Sequence, residues 1–191
     1  MSDPLSKPVL MSQSLSTKGY LLPEDLIQAP GVPSAQRRQQ GPVAVFECVQ
    51  EIPCNPCEQA CEEGAVRVGE RITTCPELVA EACTGCAKCV AACPGQAVFV
   101  VDESRGELAH VTMPYEFLPL PKKGQRVTAL DRSGKVLGPA EIVRVRCSKT
   151  MDATATVTMA VPRDWAMLAR FFRMDRDQQS SPSSSTSESE Q

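Results

Sequence analysis

The run Val43-Ala-Val-Phe46 is apolar throughout and predicts a short strand ending at Glu47; Ala97 to Val101 is equally apolar and predicts a second. Between them, residues 65–68 and 71–74 flank Gly69-Glu70, a spacing that predicts a hairpin with a two-residue turn. Residues 76–82 suit a helical turn, and 108–113 read as the partner of 97–101 across an Asp102–Glu107 turn. From Tyr115 the pattern becomes all-β, with short strands at 124–130, 135–137, 141–146 and 153–159. The last alternates strictly, with threonines on one face. Pro162-Arg-Asp164 then predicts a helix to Arg173, because Trp165, Leu168, Ala169 and Phe172 fall at i, i+3, i+4 and i+7. That stripe suits either contact with the β module or a docking face.

The two ends lack such periodicity. Residues 1–41 are interrupted by Pro4, Pro8, Pro23, Pro30 and Pro33, which predicts an extended arm with one short helical turn at 23–28. Residues 176–191 are mostly Ser, Gln and Glu and predict a disordered tail. The expected organisation is therefore an arm (1–41), a cysteine-bearing α+β domain (42–114), a small β-sheet or barrel module with a terminal helix (115–175), and the tail.

The cysteines carry the candidate chemistry. Cys83, Cys86, Cys89 and Cys93 form a complete Cys-x2-Cys-x2-Cys-x3-Cys run followed by Pro94, the signature of a bacterial-type iron–sulfur site. Iron in a sulfide cage prefers soft thiolates, and a four-cysteine zinc site usually shows two Cys-x2-Cys pairs across a longer loop instead. Upstream, Cys54, Cys57 and Cys61 repeat part of the run at an offset of 32 residues, an internal duplication. The missing first cysteine would fall at Glu51; Cys48 is the candidate substitute and Cys75 a reserve. The fourth cysteine of each run ligates the other cluster in two-cluster ferredoxins. Carried onto this chain, Cys48, Cys54, Cys57 and Cys93 hold one [4Fe–4S] cluster, and Cys61, Cys83, Cys86 and Cys89 hold the other. The α+β domain is then a two-cluster ferredoxin-type domain. Cys75 and Cys147, outside the runs, are read as buried small hydrophobes, and His110, the single histidine, as structural.

The segments Gly41 to Cys48, Ile52-Pro-Cys-Asn-Pro-Cys57, Cys83 to Cys89 and Cys93-Pro-Gly-Gln-Ala-Val98 resemble small iron–sulfur subunits encoded beside FAD-dependent amine and amino-acid dehydrogenases. Those relate to the sarcosine-oxidase and hydroxyproline-dehydrogenase types. Glu62, where ferredoxins usually carry proline, departs from the general pattern. The resemblance implies the same eight cysteine ligands and an electron-transfer subunit in a hetero-oligomer with a flavoprotein, whose active site does the catalysis. A free diffusing ferredoxin, or a binding or maturation protein with structural clusters, remains the alternative.

Composition narrows the setting. Ten cysteines without an apolar leader in residues 1–20 argue against a disulfide framework and for a reducing cytoplasm. No stretch of 18 apolar residues is present to span a membrane. Net charge is −3, unevenly spread: residues 42–107 hold eleven acids against four bases, and residues 115–175 hold eleven bases against six acids. The halves either attract each other or steer redox partners. Nucleic-acid binding fits poorly, because the bases are scattered and no aromatics interleave them. No nucleotide fingerprint and no nucleophile or acid–base constellation stands out.

Overall fold

Strand β1 (Val43–Phe46) and the first part of strand β4 (Val98–Arg105) are buried on both faces, which is why 43–46 and 98–101 read as unbroken apolar runs. The computed structural model describes residues 13–27, 29–147 and 154–174. Its remaining strands are β2 (Val66–Arg67), β3 (Glu77–Leu78), β5 (Leu108–Tyr115), β6 (Arg126–Leu130), β7 (Val136–Arg146), β8 (Ala155–Pro162) and β9 (Phe171–Met174). Helices are short: α1 (Gln13–Lys18), α2 (Ala35–Arg38), α3 (Pro56–Gln59) and α4 (Lys88–Ala92). The architecture is mixed and β-rich. Seven strands form one antiparallel sheet in the order β1-β4-β5-β8-β7-β6-β9, and β2 and β3 form a separate ribbon.

The sheet divides two cores. Alternate residues of all seven strands, including Val45, Phe99, Val111, Met113, Val127, Ile142, Val157, Met159 and Phe172, fill its inner face. The opposite face of β1 and β4 presents Ala44, Phe46, Val98 and Val100 to Val66, Val68 and Val90 and to the thiols of Cys57 and Cys89. The cysteine-bearing loops thus pack on the back of the same sheet whose front closes the β module. The sheet also runs through position 115 without a break, since β5 pairs with β8 from Leu108↔Pro162 to Tyr115↔Ala155.

The sheet curls until its edges approach at one end. Glu47, just beyond β1, accepts hydrogen bonds from Arg132 in the β6–β7 turn (Nε to Oε2, 2.7 Å) and from Arg170 just before β9 (Nε to Oε1, 2.6 Å). All three side chains are under 10% exposed. Burial pushes the Glu47 carboxyl upward, but the two guanidiniums outweigh it and hold the group below its usual range. Arg170 also donates to the carbonyls of Ala166 and Ala169 and lies 4.8 Å over the Phe99 ring.

Three local expectations are corrected. The 162–173 helix is a 3-10 turn at Arg163–Trp165 followed by strand β9. A helix of that length is marginal alone, whereas pairing β9 with β6 satisfies its backbone and buries Phe172 against Tyr115, ring centroids 5.2 Å apart. The 65–68/71–74 hairpin does not form; β2 pairs with β3, Val66 opposite Leu78. The Val68 N–H is taken by the Glu58 carboxylate (3.0 Å), and the Ile72 carbonyl accepts from Cys54 N–H (3.1 Å), so residues 71–74 turn toward the cysteine loop. The predicted 135–137 and 141–146 strands are one strand, β7. The start of the 153–159 strand and the 176–191 tail lie outside the described residues.

The N-terminal arm packs tightly where it is described. Leu21 and Leu26 are buried, the Gly31 carbonyl accepts from Phe46 N–H (2.9 Å), and Pro30 accepts from Leu78 N–H (3.2 Å). A Cβ on Gly31 would stand 2.5 Å from that of Phe46, so only glycine permits the approach. Among the described residues no helix is long and apolar enough to cross a membrane.

Candidate metal centre

The duplication seen in the cysteine spacing is also a duplication of backbone geometry. Cys57 lies in α3 and Cys89, 32 residues on, lies in α4; both are buried. After each helix the chain makes the same turn. Gly64 N–H donates to the Cys61 carbonyl and Gln96 N–H to the Cys93 carbonyl, each at 3.1 Å, and both donors sit in the left-handed region (φ +61° and +52°). Gln96 accepts that conformation without glycine's freedom. The turns aim an amide at each sulfur: Ala65 N–H points at Cys61 Sγ (3.3 Å) and Ala97 N–H at Cys93 Sγ (3.4 Å).

The thiols sort into two groups, each mixing both runs. Cys61, Cys83, Cys86 and Cys89 line one cavity of about 60 Å3, walled by Ala44, Ala65, Val66 and Val100. In the other group, burial pushes Cys48 up to about 11, with further upward pressure from Cys75, Cys93 and Cys54. Cys57 is likewise pushed up to about 11 by burial, and then by Cys93. Burial also raises Cys89, with Cys83, Cys86, Cys57 and Cys61 adding to it, so the two groups adjoin. Crowded, desolvated thiols resist becoming thiolates unless a cation compensates them. Cys86 is the exposed corner of its group, and none of these cysteines is in a disulfide.

Such a donor set fits a four-iron cluster: soft thiols in fours, apolar walls and N–H groups directed at sulfur. Among the described residues, no group of three or more His, Cys, Asp or Glu side chains converges on the point a single ion would occupy. A four-iron cluster asks something different, because each thiolate takes its own iron and the ligands surround a cavity.

Glycine is needed at Gly85, between Cys83 and Cys86. Its φ is +67°, and a Cβ there would lie 2.6 Å from Pro42 Cβ and 2.8 Å from the Pro42 carbonyl oxygen. Arg37, on α2, braces the same loop, donating to the carbonyls of Cys83 (2.7 Å), Ala80 (2.9 Å) and Gly41 (3.3 Å). No motif marked Arg37 in the sequence. The alanines four residues after Cys61 and Cys93 were visible in the repeat, but their role as amide donors was not. Lys88 pairs with Glu62 across the two halves (2.6 Å), with both side chains well exposed.

The remaining candidates part company. Cys75 is half-buried and neighbours Cys48, so it is not an isolated core cysteine. Cys147 is exposed at the end of β7, which corrects the expectation that it is buried. His110 pairs in register with Asp102, and burial followed by Arg105 holds its pKa below the usual value. No family model, no curated protein and no solved structure matches this chain.

Proposed function

We propose that the chain is an electron-transfer subunit holding two [4Fe–4S] clusters, one on Cys48, Cys54, Cys57 and Cys93 and the other on Cys61, Cys83, Cys86 and Cys89. The observation that carries this reading is the cavity that Cys61 of the first run shares with Cys83, Cys86 and Cys89 of the second. Bound there, the clusters would store and pass single electrons. The protein's own part is to hold the thiolates, exclude water with Val66, Val90, Val98 and Val100, and direct the amides of Ala44, Ala65 and Ala97 at sulfur. The pairing of β1 with β4 and β2 with β3, around two equivalent cysteine loops, suits a ferredoxin-type domain.

The electron donor in this reading is the flavin of a partner dehydrogenase in the cytoplasm, and substrate chemistry stays with that partner. The fused β module favours a dedicated subunit over a free carrier, because a carrier needs only the cluster domain. Anaerobic purification tests the clusters: about eight iron and eight sulfide per chain are expected, and about four in fully loaded protein would remove the Cys48 site. Co-purification from the native host tests the partner, a flavoprotein arriving in fixed ratio being expected.

A further inference from the structure

We infer that the loop at 116–123 is a docking tip for an anionic lipid surface. Its apolar side chains enter the headgroup boundary, and the lysines behind them meet the lipid phosphates. The inference holds whichever number of clusters the chain carries.

Residues 116–120, between β5 and β6, are exposed without interruption. Phe117 is 60% exposed, Leu118 87% and Leu120 36%, so three large apolar side chains stand in solvent within four positions. The tip is braced from behind. The Phe117 ring packs edge-on against Tyr115 and against Phe171, centroids 5.7 Å apart in both pairs. At the base Pro121 is buried, Lys122 N–H donates to the Gln125 side-chain oxygen (2.9 Å), and Gly124 N–H donates to the Ile142 carbonyl (2.7 Å). An exposed apolar patch rimmed by polar groups marks contact with a protein or a membrane.

Charge decides between the two. Lys122 and Lys123 follow the tip directly and are exposed, and no carboxylate among the described residues pairs with either. Arg146 is exposed at the same end of the sheet, opposite Thr156 and beside the Ala155 that pairs with Tyr115. Glu116 is the single acid in 116–123. Lysine is depleted from protein–protein interfaces. Aromatic and leucine side chains backed by lysines are instead what an anionic lipid interface takes up. The charge of the whole chain agrees. The tip stands on the half with eleven bases against six acids, and the cysteine-bearing half, with eleven acids against four bases, is turned away from a negative surface. Ile52 and Ile72, also exposed, lie in that acidic half.

The test is co-sedimentation of the full chain, purified anaerobically, with vesicles, the iron content of every variant being matched to wild type. Vesicles of phosphatidylglycerol mixed into phosphatidylcholine should carry the protein down at low salt, and vesicles of phosphatidylcholine alone should leave most of it in solution. Leu118→Ser combined with Leu120→Ser should weaken binding about tenfold. Lys122→Gln combined with Lys123→Gln should weaken it about tenfold and flatten its salt dependence. Leu118→Trp should strengthen binding, because tryptophan favours the membrane–water interface. With Leu118 almost wholly exposed, that variant keeps the test alive if the double serine variant folds poorly. Leu108→Ser, at the far end of β5, should change nothing. Failure to bind anionic vesicles, equal binding to neutral ones, loop variants that bind as wild type does, or a Leu108 variant that loses as much as the loop variants would each overturn the inference. So would loop variants that keep vesicle binding but lose a protein co-purifying from the native host, which would put a protein on the tip instead.

Discussion

Cys48 and Cys75 decide the first site between them. The 54–57–61 spacing leaves the fourth ligand open, and both thiols lie near the others. Cys48 lies two residues after β1 and has Cys75, Cys93 and Cys54 as thiol neighbours, whereas the charged neighbour of Cys75 is Glu51. Cys75→Ser should therefore leave iron at about eight per chain, and Cys48→Ser should lower it toward four; the reverse outcome reassigns the ligand. Gly85→Ala forces a left-handed alanine against Pro42. It should cost about 2 kcal/mol or more and lower iron loading, read by thermal melting and iron analysis. Asp102 gives a pH dependence away from the thiols. Burial raises its carboxyl, but the Ser104 hydroxyl and N–H and the Arg105 guanidinium outweigh burial and bring it below the ordinary value. A lowered acid contributes stability that is present above its unfolded pKa and lost as pH falls through its folded one. The wild-type protein should thus lose stability below about pH 4, and Asp102→Asn should flatten that limb at a cost of about 2 kcal/mol near neutrality.

At the level of elements, strands were legible where burial was two-sided or strictly alternating, and elements set by tertiary pairing were not. Val43–Phe46 and Val98–Val101 are apolar on every position because one face meets the inner core and the other meets the cysteine loops. That made them readable without knowledge of either partner. The Trp165-to-Phe172 spacing suits a helix equally well in isolation. What overrides it is the open edge of β6, which no local pattern reveals. Likewise β2 takes β3 as its partner because Glu58, ten residues upstream, occupies the Val68 amide. The likeness of the two cysteine loops was readable from spacing because the repeat is itself geometric, Gly64 and Gln96 making equivalent turns. The strand assignment has a direct check. Phe172 is 2% exposed and packs with Tyr115 and Phe171 in one cluster of rings, so Phe172→Ala should cost about 3–5 kcal/mol by denaturant unfolding. A cost below about 1 kcal/mol, the range of exposed positions, would argue for a solvent-facing helix instead.

In the whole molecule, the arm and the β module are bound into the cysteine domain by charges and backbone contacts far apart in sequence. Glu47 holds Arg132 and Arg170, and Glu103, buried on β4, holds Arg38 from the arm at 2.5 Å. Breaking one partner of such a buried pair leaves an uncompensated charge, at a cost of about 3–5 kcal/mol. The arm contributes more than Arg38. Pro30 and Gly31 accept backbone hydrogen bonds from Leu78 and Phe46, and Arg37 closes the Gly41, Ala80 and Cys83 carbonyls. No cysteine precedes Cys48, so the sequence by itself makes residues 1–40 dispensable for metal. The contacts predict otherwise. Deleting residues 1–40 exposes Phe46, leaves Glu103 only its longer pair with Arg163 at 3.9 Å and frees the Cys83 loop. The truncated chain should melt at lower temperature and load fewer than eight iron, the deficit falling on the Cys83 cluster. Reconstitution under identical anaerobic conditions, with iron analysis and resonance spectra of both chains, makes the comparison. Full loading and an unchanged melt in the truncated protein would show that the arm serves only a partner and that the cysteine domain stands alone.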